Sequence, residues 1–242
     1  LSLAKSPNLD KYANNYPIMP LAASGEAVGL SWGEMGNSQV GHLSLGAGLI
    51  PYQYLPRITK SITDGDFFDN EAFLKAIKHA KKQKCALHLL GLISTGGVHS
   101  YNEHLYALLD LAKKEGLEKV YIHAFLDGRD ALYNSGLNFI TKLQNKIDEV
   151  GVGEIVTLSG RFYAMDRDNR WDRIELAWHA IVDGQSEEKF PDPLQAIQAS
   201  YDKKVYDEEF KPTVIVDKAG QPLATIKDND AVIFFNFRSD RA

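Results

Sequence analysis

The chain has 242 residues, 44% of them hydrophobic and 24% charged, with a formal net charge of -5. This composition is typical of soluble globular proteins, and the length allows one large domain or two smaller ones with a substantial core. The negative balance excludes a general nucleic-acid binder, which needs a basic surface, but not a small anion held by local arginines. The one cysteine, Cys85, excludes an intrachain disulfide and suits a reducing compartment. It heads an apolar run and reads as a buried structural thiol. No run of about 18 apolar residues is present, so no membrane-spanning helix is expected. The first residues lack the basic head and apolar middle of a signal peptide. The chain also starts without methionine, which fits a trimmed or partial sequence.

Ser6-Pro7 places a cap and a proline at the head of a first helix. Leu9, Tyr12, Ala13 and Tyr16 share one face of it, and Pro17 ends it. Ile18 to Leu30 reads as loop. Gly36-Asn37-Ser38-Gln39-Val40-Gly41-His42 then sets a hydroxyl nucleophile in a short, glycine-flanked turn. Asn37 and Ser38 are good helix caps, so Ser38 stands where free backbone N–H groups converge. Such a place favours negative charge, as an alkoxide or as a phosphate on the oxygen. An ordinary capped turn explains the same residues. His42, one helical turn on, reads as a packing residue, since no carboxylate partner stands near it in sequence.

Around residues 50 to 53 the glycine-rich loop gives way to a regular alternation. Asp69 or Asn70 caps a helix with Phe73, Ala76, Ile77 and Ala80 inward. Ala86 to Ile93 is a strand apolar enough to be buried on both faces. Asn102 to Glu115 is a helix ended by Gly116, with Leu105, Leu108, Leu109 and Ala112 inward. Further elements follow: a strand at Lys119–Leu126, a helix at Ser135–Val150 and a strand at Glu154–Leu158. Trp171–Val182 is the next helix, with Ile174, Trp178 and Ile181 aligned. Past the Pro191-Asp192-Pro193 break, Leu194, Ile197 and Tyr201 mark a short helix. Strands at Thr213–Val216 and Ala231–Phe237 close the series. Strands alternating with helices predict an α/β fold, a largely parallel sheet flanked by helices.

In such sheets ligands bind beyond the carboxyl ends of the strands. The loop after the first strand is Ser94-Thr95-Gly96-Gly97-Val98-His99-Ser100, whose glycines let backbone approach a ligand and whose one titratable group is His99. After the second comes Asp127-Gly128-Arg129-Asp130. After the third come Arg161 and, beyond it, Arg167, Arg170 and Arg173, whose spacing puts them near one helix face. After the last comes Asn236-Phe237-Arg238-Ser239-Asp240-Arg241. Taken singly, each has a bland explanation as an ion-paired turn or a solvated face. Four of five strands releasing arginine or histidine at their carboxyl ends point to an anion site, for phosphate and carboxylate. The remaining strand, ending at Val216-Asp217, releases no arginine or histidine and leads into what reads as a hairpin.

These stretches resemble the cofactor-independent phosphoglycerate mutases of the alkaline phosphatase superfamily. The matches are Gly25-Glu26-Ala27-Val28-Gly29, the Ser38 motif, Gly96 to Ser100, Leu126 to Asp130, Ala164-Met165-Asp166-Arg167-Asp168 with Arg170-Trp171, and Asn236-Phe237-Arg238 with Asp240-Arg241. The resemblance implies an isomerase of glycolysis and gluconeogenesis that interconverts 3-phosphoglycerate and 2-phosphoglycerate through a phosphoserine intermediate. Residues 1–52 would be a piece of a metal-binding, phosphatase-like α/β domain, and 53–242 an incomplete substrate-binding phosphotransferase domain. Ser38 takes the nucleophile position and would ligate one of two divalent ions, usually manganese, with no need of 2,3-bisphosphoglycerate. His99, Arg129, Asp130, Arg161, Arg167, Arg238 and Arg241 match positions that hold substrate, and Asp130 is the candidate base. A cytoplasmic monomer with a small-molecule substrate, and no nucleic-acid or membrane partner, completes the expectation. The other metal ligands of the family fall outside the matched stretches, so a fragment is expected. Three local departures stand out: Gln39 where glutamate is usual, Thr95 where aspartate is usual, and Leu132-Tyr133 near an often proline-rich position.

Overall fold

A computed structural model describes residues 5–241, with Gln39 and Arg241 described by their backbone alone. The chain divides into two compact units, Leu1–Pro56 and Arg57–Ala242. The first contains α1 (Pro7–Asn15), a 3-10 turn at Gly25–Val28 and α2 (Ser38–Ala47). The face of α1 expected to pack, carrying Leu9, Tyr12 and Tyr16, is exposed. Only Leu30 and Val40 are buried apolar residues among those described in this unit.

α3 (Tyr54–Asp64) follows, a helix for which the sequence reading named no element. Its Ile58 and Ile62 pack on the core of the second unit. That unit then runs α4 (Glu71–Gln83), β1 (Leu87–Ile93), α5 (Asn102–Lys114), β2 (Val120–Leu126), α6 (Gly136–Val150) and β3 (Glu154–Gly160). After it come α7 (Arg161–Ala164), α8 (Trp171–Trp178), β4 (Lys189–Phe190), α9 (Pro193–Asp202), β5 (Thr213–Ile215) and β6 (Ala231–Phe234). Local chemistry sets the boundaries. Asn70 Oδ1 accepts from the N–H groups of Ala72 and Phe73, and Asp192 Oδ1 accepts from Gln195. Gly151, at φ 71°, closes α6 in a left-handed turn. α8 is shorter than its apolar spacing predicts, because His179–Asp183 continue as π-helix and Trp178 faces out.

The sheet order is β4-β5-β3-β2-β1-β6. β3, β2, β1 and β6 are mutually parallel, with α5 and α6 as crossovers, so their carboxyl ends lie along one edge. β5 runs antiparallel to β3, and its pairing partner β4 runs with it. This reversal explains why β5 ends without an arginine or histidine: its exit points away from that edge, into a hairpin closed by the Val216–Pro222 bridge. The core between sheet and helices includes Leu89, Leu105, Leu109, Ile122, Ile140 and Leu143, all fully buried. Cys85 is half-buried at the core's margin, where its thiol donates to the Asn229 carbonyl.

A polar relay crosses the sheet. His123 lies 2.8 Å from Thr157 Oγ1 and 2.9 Å from His88, which reaches Asp230 at 3.2 Å. Neutral imidazoles satisfy every link in one polarity: Thr157 donates to His123, His123 to His88, and His88 to the Asp230 carboxylate. Burial depresses His123 to about 3, the neighbouring His88 adding to the effect, and burial also lowers His88.

Candidate active site

In the first unit Ser38 is the first residue of α2. Asn37 is the cap, and its side chain accepts from Val40 N at 3.0 Å. Ser38 therefore opens the helix where backbone N–H groups lack intrahelical partners. The turn demands its glycine: a Cβ on Gly36 would stand 1.8 Å from the Ala23 carbonyl oxygen. His42 is not the packing residue its position suggests. It is exposed, with Nδ1 2.7 Å from the Ser38 carbonyl oxygen and 3.2 Å from Ser38 Oγ. A carbonyl only accepts, so that bond places the proton on Nδ1. In this tautomer Nδ1 has no lone pair with which to take the serine proton.

In the second unit the four parallel strand ends feed one cluster. Asp127, fully buried at the end of β2, is its hub. It accepts from Ser94 Oγ at 2.6 Å, from the N–H groups of Arg129 and Asp130, and from Arg161 Nη1 at 2.6 Å. One carboxylate thereby ties the ends of β1, β2 and β3. Arg161 also reaches Asp130 Oδ2 at 2.5 Å, and His99 Nε2 lies 3.8 Å from that same oxygen. On its other side His99 faces Asp240, which bonds Arg238 Nε at 2.7 Å and Arg167 Nη1 at 3.2 Å. The chain beyond β6 leaves the ladder to make this contact, and Phe237 N donates to the His99 carbonyl at 2.8 Å. For this reason the last strand is shorter than its apolar pattern.

The electrostatics follow from burial and pairing. Burial works against the Arg161 charge, but hydrogen bonds and charges of Asp130 and Asp127 outweigh it and hold its pKa above the ordinary value. His99 is lowered, first by burial and then by Arg161, with Asp130 and Asp240 only partly compensating. Two buried atoms, His99 Nδ1 and Arg161 Nε, have no hydrogen-bond partner. Unsatisfied donors or acceptors of this kind mark a place where a polar ligand gains more than it loses.

Among the predicted residues, His99, Asp130, Arg161, Arg167 and Arg238 come together. Arg129 does not: it is exposed and pairs with Glu208 at 3.2 Å. The side chain of Arg241 lies outside the described residues. Arg167, Arg170 and Arg173 share no helix face, since α8 begins only at Trp171. Asp166 instead accepts from the N–H groups of Asp168 and Arg170, Asn169 takes a left-handed φ of 58°, and Arg173 folds back onto Asp166 and the Phe162 ring. Gly96 serves packing where ligand approach was expected: a Cβ there would stand 2.6 Å from the Asp130 carbonyl oxygen. Sequence reasoning passed over Asp127, Asp240 and Ser94 as chemistry. Acidic residues beside strand-end arginines were the available signal. Among the described residues no group of three or more His, Cys, Asp or Glu is arranged to hold a metal, so they do not compose a metal centre by themselves.

The second unit is thus an α/β domain whose parallel strand ends assemble arginines, a buried histidine and carboxylates. The family model described as BPG-independent PGAM N-terminus (iPGM_N) matches residues 58–242, and the chain belongs to that family, the N-terminal region of the 2,3-bisphosphoglycerate-independent phosphoglycerate mutases. It is 58% identical over 241 residues to the 2,3-bisphosphoglycerate-independent phosphoglycerate mutase of Clostridium novyi (strain NT), covering 100% of this chain and 47% of that protein. Against the protein of the same name from Lachnoclostridium phytofermentans it is 56% identical over 242 residues, with the same coverage, 100% and 47%. A crystal structure of Leishmania mexicana phosphoglycerate mutase at low cobalt concentration superposes with a TM-score of 0.80 at 34% identity, over 99% of this chain and 45% of that one. The chain spans about half the length of the curated relatives it matches.

Proposed function

We propose that this chain carries the nucleophile and the substrate-holding cluster of an isomerase that interconverts 3-phosphoglycerate and 2-phosphoglycerate. The observation that carries the proposal is the coincidence of two features in one chain of this family: a serine opening a capped helix, and a strand-end cluster with a buried, unsatisfied histidine nitrogen. Ser38 Oγ would take the phosphoryl group, and the glycerate would remain held until the group returns to its other hydroxyl. Arg161, Arg167 and Arg238 would neutralise phosphate and carboxylate, with Arg129 and Arg241 joining as the outer cations. Asp130 would take the proton of the glycerate hydroxyl. Arg161 already grips its Oδ2, so the hydroxyl would meet Oδ1. Because His42 Nδ1 is committed to a carbonyl, the serine needs activation from elsewhere in the whole protein. The relatives' length leaves room for that, and divalent ions, manganese in the first instance, are the agents to supply. No helix among the described residues is long and apolar enough to cross a membrane, and we place the reaction in the cytoplasm.

The test is an assay of the whole-length protein with 3-phosphoglycerate and manganese, followed by phosphorus NMR and by mass spectrometry of the peptide containing Ser38. Production of 2-phosphoglycerate and a trapped phosphoserine at Ser38 are expected. Ser38→Ala should lower turnover by about 10⁴-fold or more, as removal of a covalent nucleophile does. Free phosphate released faster than 2-phosphoglycerate would replace this reading with a phosphatase, and a fully active Ser38→Ala would end it.

A further inference from the structure

We infer that Asp240 is an internal counter-anion of the strand-end cluster: it stands in the place of a ligand's anionic group and sets a threshold of affinity that any incoming anion must exceed. The inference deepens the phosphoglycerate proposal, on which it rests for the identity of the natural ligand alone.

Asp240 lies in a short 3-10 turn, Ser239–Arg241, just beyond the strand ends. Its Oδ1 accepts from Arg238 Nε at 2.7 Å and lies 3.8 Å from His99 Nδ1. Its Oδ2 accepts from Arg167 Nη1 at 3.2 Å. Three groups from three separate segments, the β1–α5 loop, the α7–α8 loop and the exit from β6, therefore converge on one carboxylate. Their exposures differ in an instructive way. Side chains of Arg167 and Arg238 are 50% and 48% exposed, while His99 is 4% exposed with Nδ1 unsatisfied. Two half-open guanidiniums and a sealed nitrogen make up one polar set around the carboxylate. Asp240 satisfies it incompletely, since 3.8 Å is too long for a hydrogen bond to His99.

A phosphomonoester offers what Asp240 lacks. It carries about -1.5 to -2 charge at pH 7 and three acceptor oxygens, against one charge and two oxygens for a carboxylate. It can occupy both guanidiniums and still present an oxygen to His99. An anion that only matches Asp240 exchanges like for like and gains little. Burial disfavours the Asp240 charge, but the hydrogen bond and charge of Arg238, with His99 and Arg167, draw its pKa below the ordinary value, so the counter-anion is in place across the neutral range.

The experiment uses the chain as it stands, with inorganic phosphate as the probe in calorimetric titrations. Asp240→Asn keeps the shape and removes the competing charge. It should bind phosphate roughly tenfold tighter, the equivalent of one charge-assisted hydrogen bond no longer contested. Asp240→Ser should move the same way. Unchanged or weaker binding in both variants overturns the inference, because a residue that merely gathers the arginines would lower affinity when removed. Histidine NMR supplies an independent readout. His99 faces Arg161, Asp130, Arg238 and Asp240, and of these Asp240 is one of the two that raise its pKa. Its titration midpoint should therefore fall in ligand-free Asp240→Asn, and an unmoved midpoint counts against the placement. 3-Phosphoglycerate, titrated in parallel, separates the two proposals. If it binds wild type no better than phosphate while Asp240→Asn gains as stated, the substrate assignment falls and the counter-anion stands.

Discussion

The serine turn and the strand-end cluster are held by different physics. Around Asp127 the contacts are charge-assisted, those to Ser94 and Arg161 buried and those to the Arg129 and Asp130 N–H groups part-buried, and the surrounding core fixes where each strand ends. Around Ser38 the side chains of Asn37, Ser38 and His42 are exposed, and the geometry depends on one cap, one crowded glycine and a left-handed Gly48 that closes the helix. A parallel sheet supplies position at the cost of immobility, which suits groups that must hold a ligand still. A nucleophile needs little more than correct backbone presentation, which a few local bonds provide. Loss of a cluster residue should therefore be felt as stability, and loss of the serine as chemistry alone.

The largest effect should come from Asp127→Ala. It leaves Arg161 buried with Asp130 as its remaining carboxylate and unties Ser94 and two backbone N–H groups. Removing one partner of a buried pair costs about 3–5 kcal/mol, and urea unfolding of the chain should lose that much. A loss below about 1 kcal/mol, the worth of a surface pair, would mean that the cluster is no better anchored than the serine turn.

Next in size is the response to acid. His104, buried under the Tyr101 and Phe237 rings, is lowered by burial to about 4, and His123 in the relay to about 3. Both therefore stay neutral in the folded protein at pH values where unfolded histidine, with a pKa of about 6.5, takes up a proton. The unfolded chain binds more protons there, so their contribution is full above about pH 6.5 and drains away as pH falls toward the folded values. By pH 5 each should have withdrawn roughly 2 kcal/mol relative to pH 7. Urea midpoints measured from pH 7 to pH 5 should fall accordingly. A flat stability profile over this range would remove the energetic distinction between the two regions.

How much of this was legible in the sequence follows the same division. The α/β alternation, the strand ends and the cations beyond them could be read because a buried strand needs an apolar run and a crossover helix needs its periodicity. The β5 reversal left a trace too, in the lack of an arginine or histidine after Val216-Asp217. Burial of α1 could not be read, since amphipathic spacing records that a face is apolar but not what covers it. Nor could the shared helix face of Arg167, Arg170 and Arg173 survive, because Asp166 captures two backbone N–H groups and delays the helix. The hub role of Asp127 was hidden for a related reason. It depends on three strand ends meeting in space, whereas sequence displays only the turn in which the residue sits.

The smallest effects lie in the serine turn, and they test the comparison most sharply. Asn37→Ala removes the side chain that accepts from Val40 N, and loss of such a cap costs about 1 kcal/mol. Ser38→Ala removes an exposed hydroxyl whose recorded side-chain contact is the 3.2 Å approach of His42, and alanine is an excellent residue at a first helical position. Its cost should stay within about 0.5 kcal/mol. Global unfolding would miss both changes, because so few residues of this unit are buried and local opening precedes the cooperative transition. Amide exchange at Gly41, whose N–H is bonded to the Asn37 carbonyl, reports the opening of α2 directly. Protection there should fall by roughly fivefold in Asn37→Ala, the equivalent of about 1 kcal/mol, and barely change in Ser38→Ala. A reversal, with the serine variant the more exposed to exchange, would make Ser38 a structural cap. Its hydroxyl would then be already engaged in holding the helix, and the case for a free nucleophile would fail.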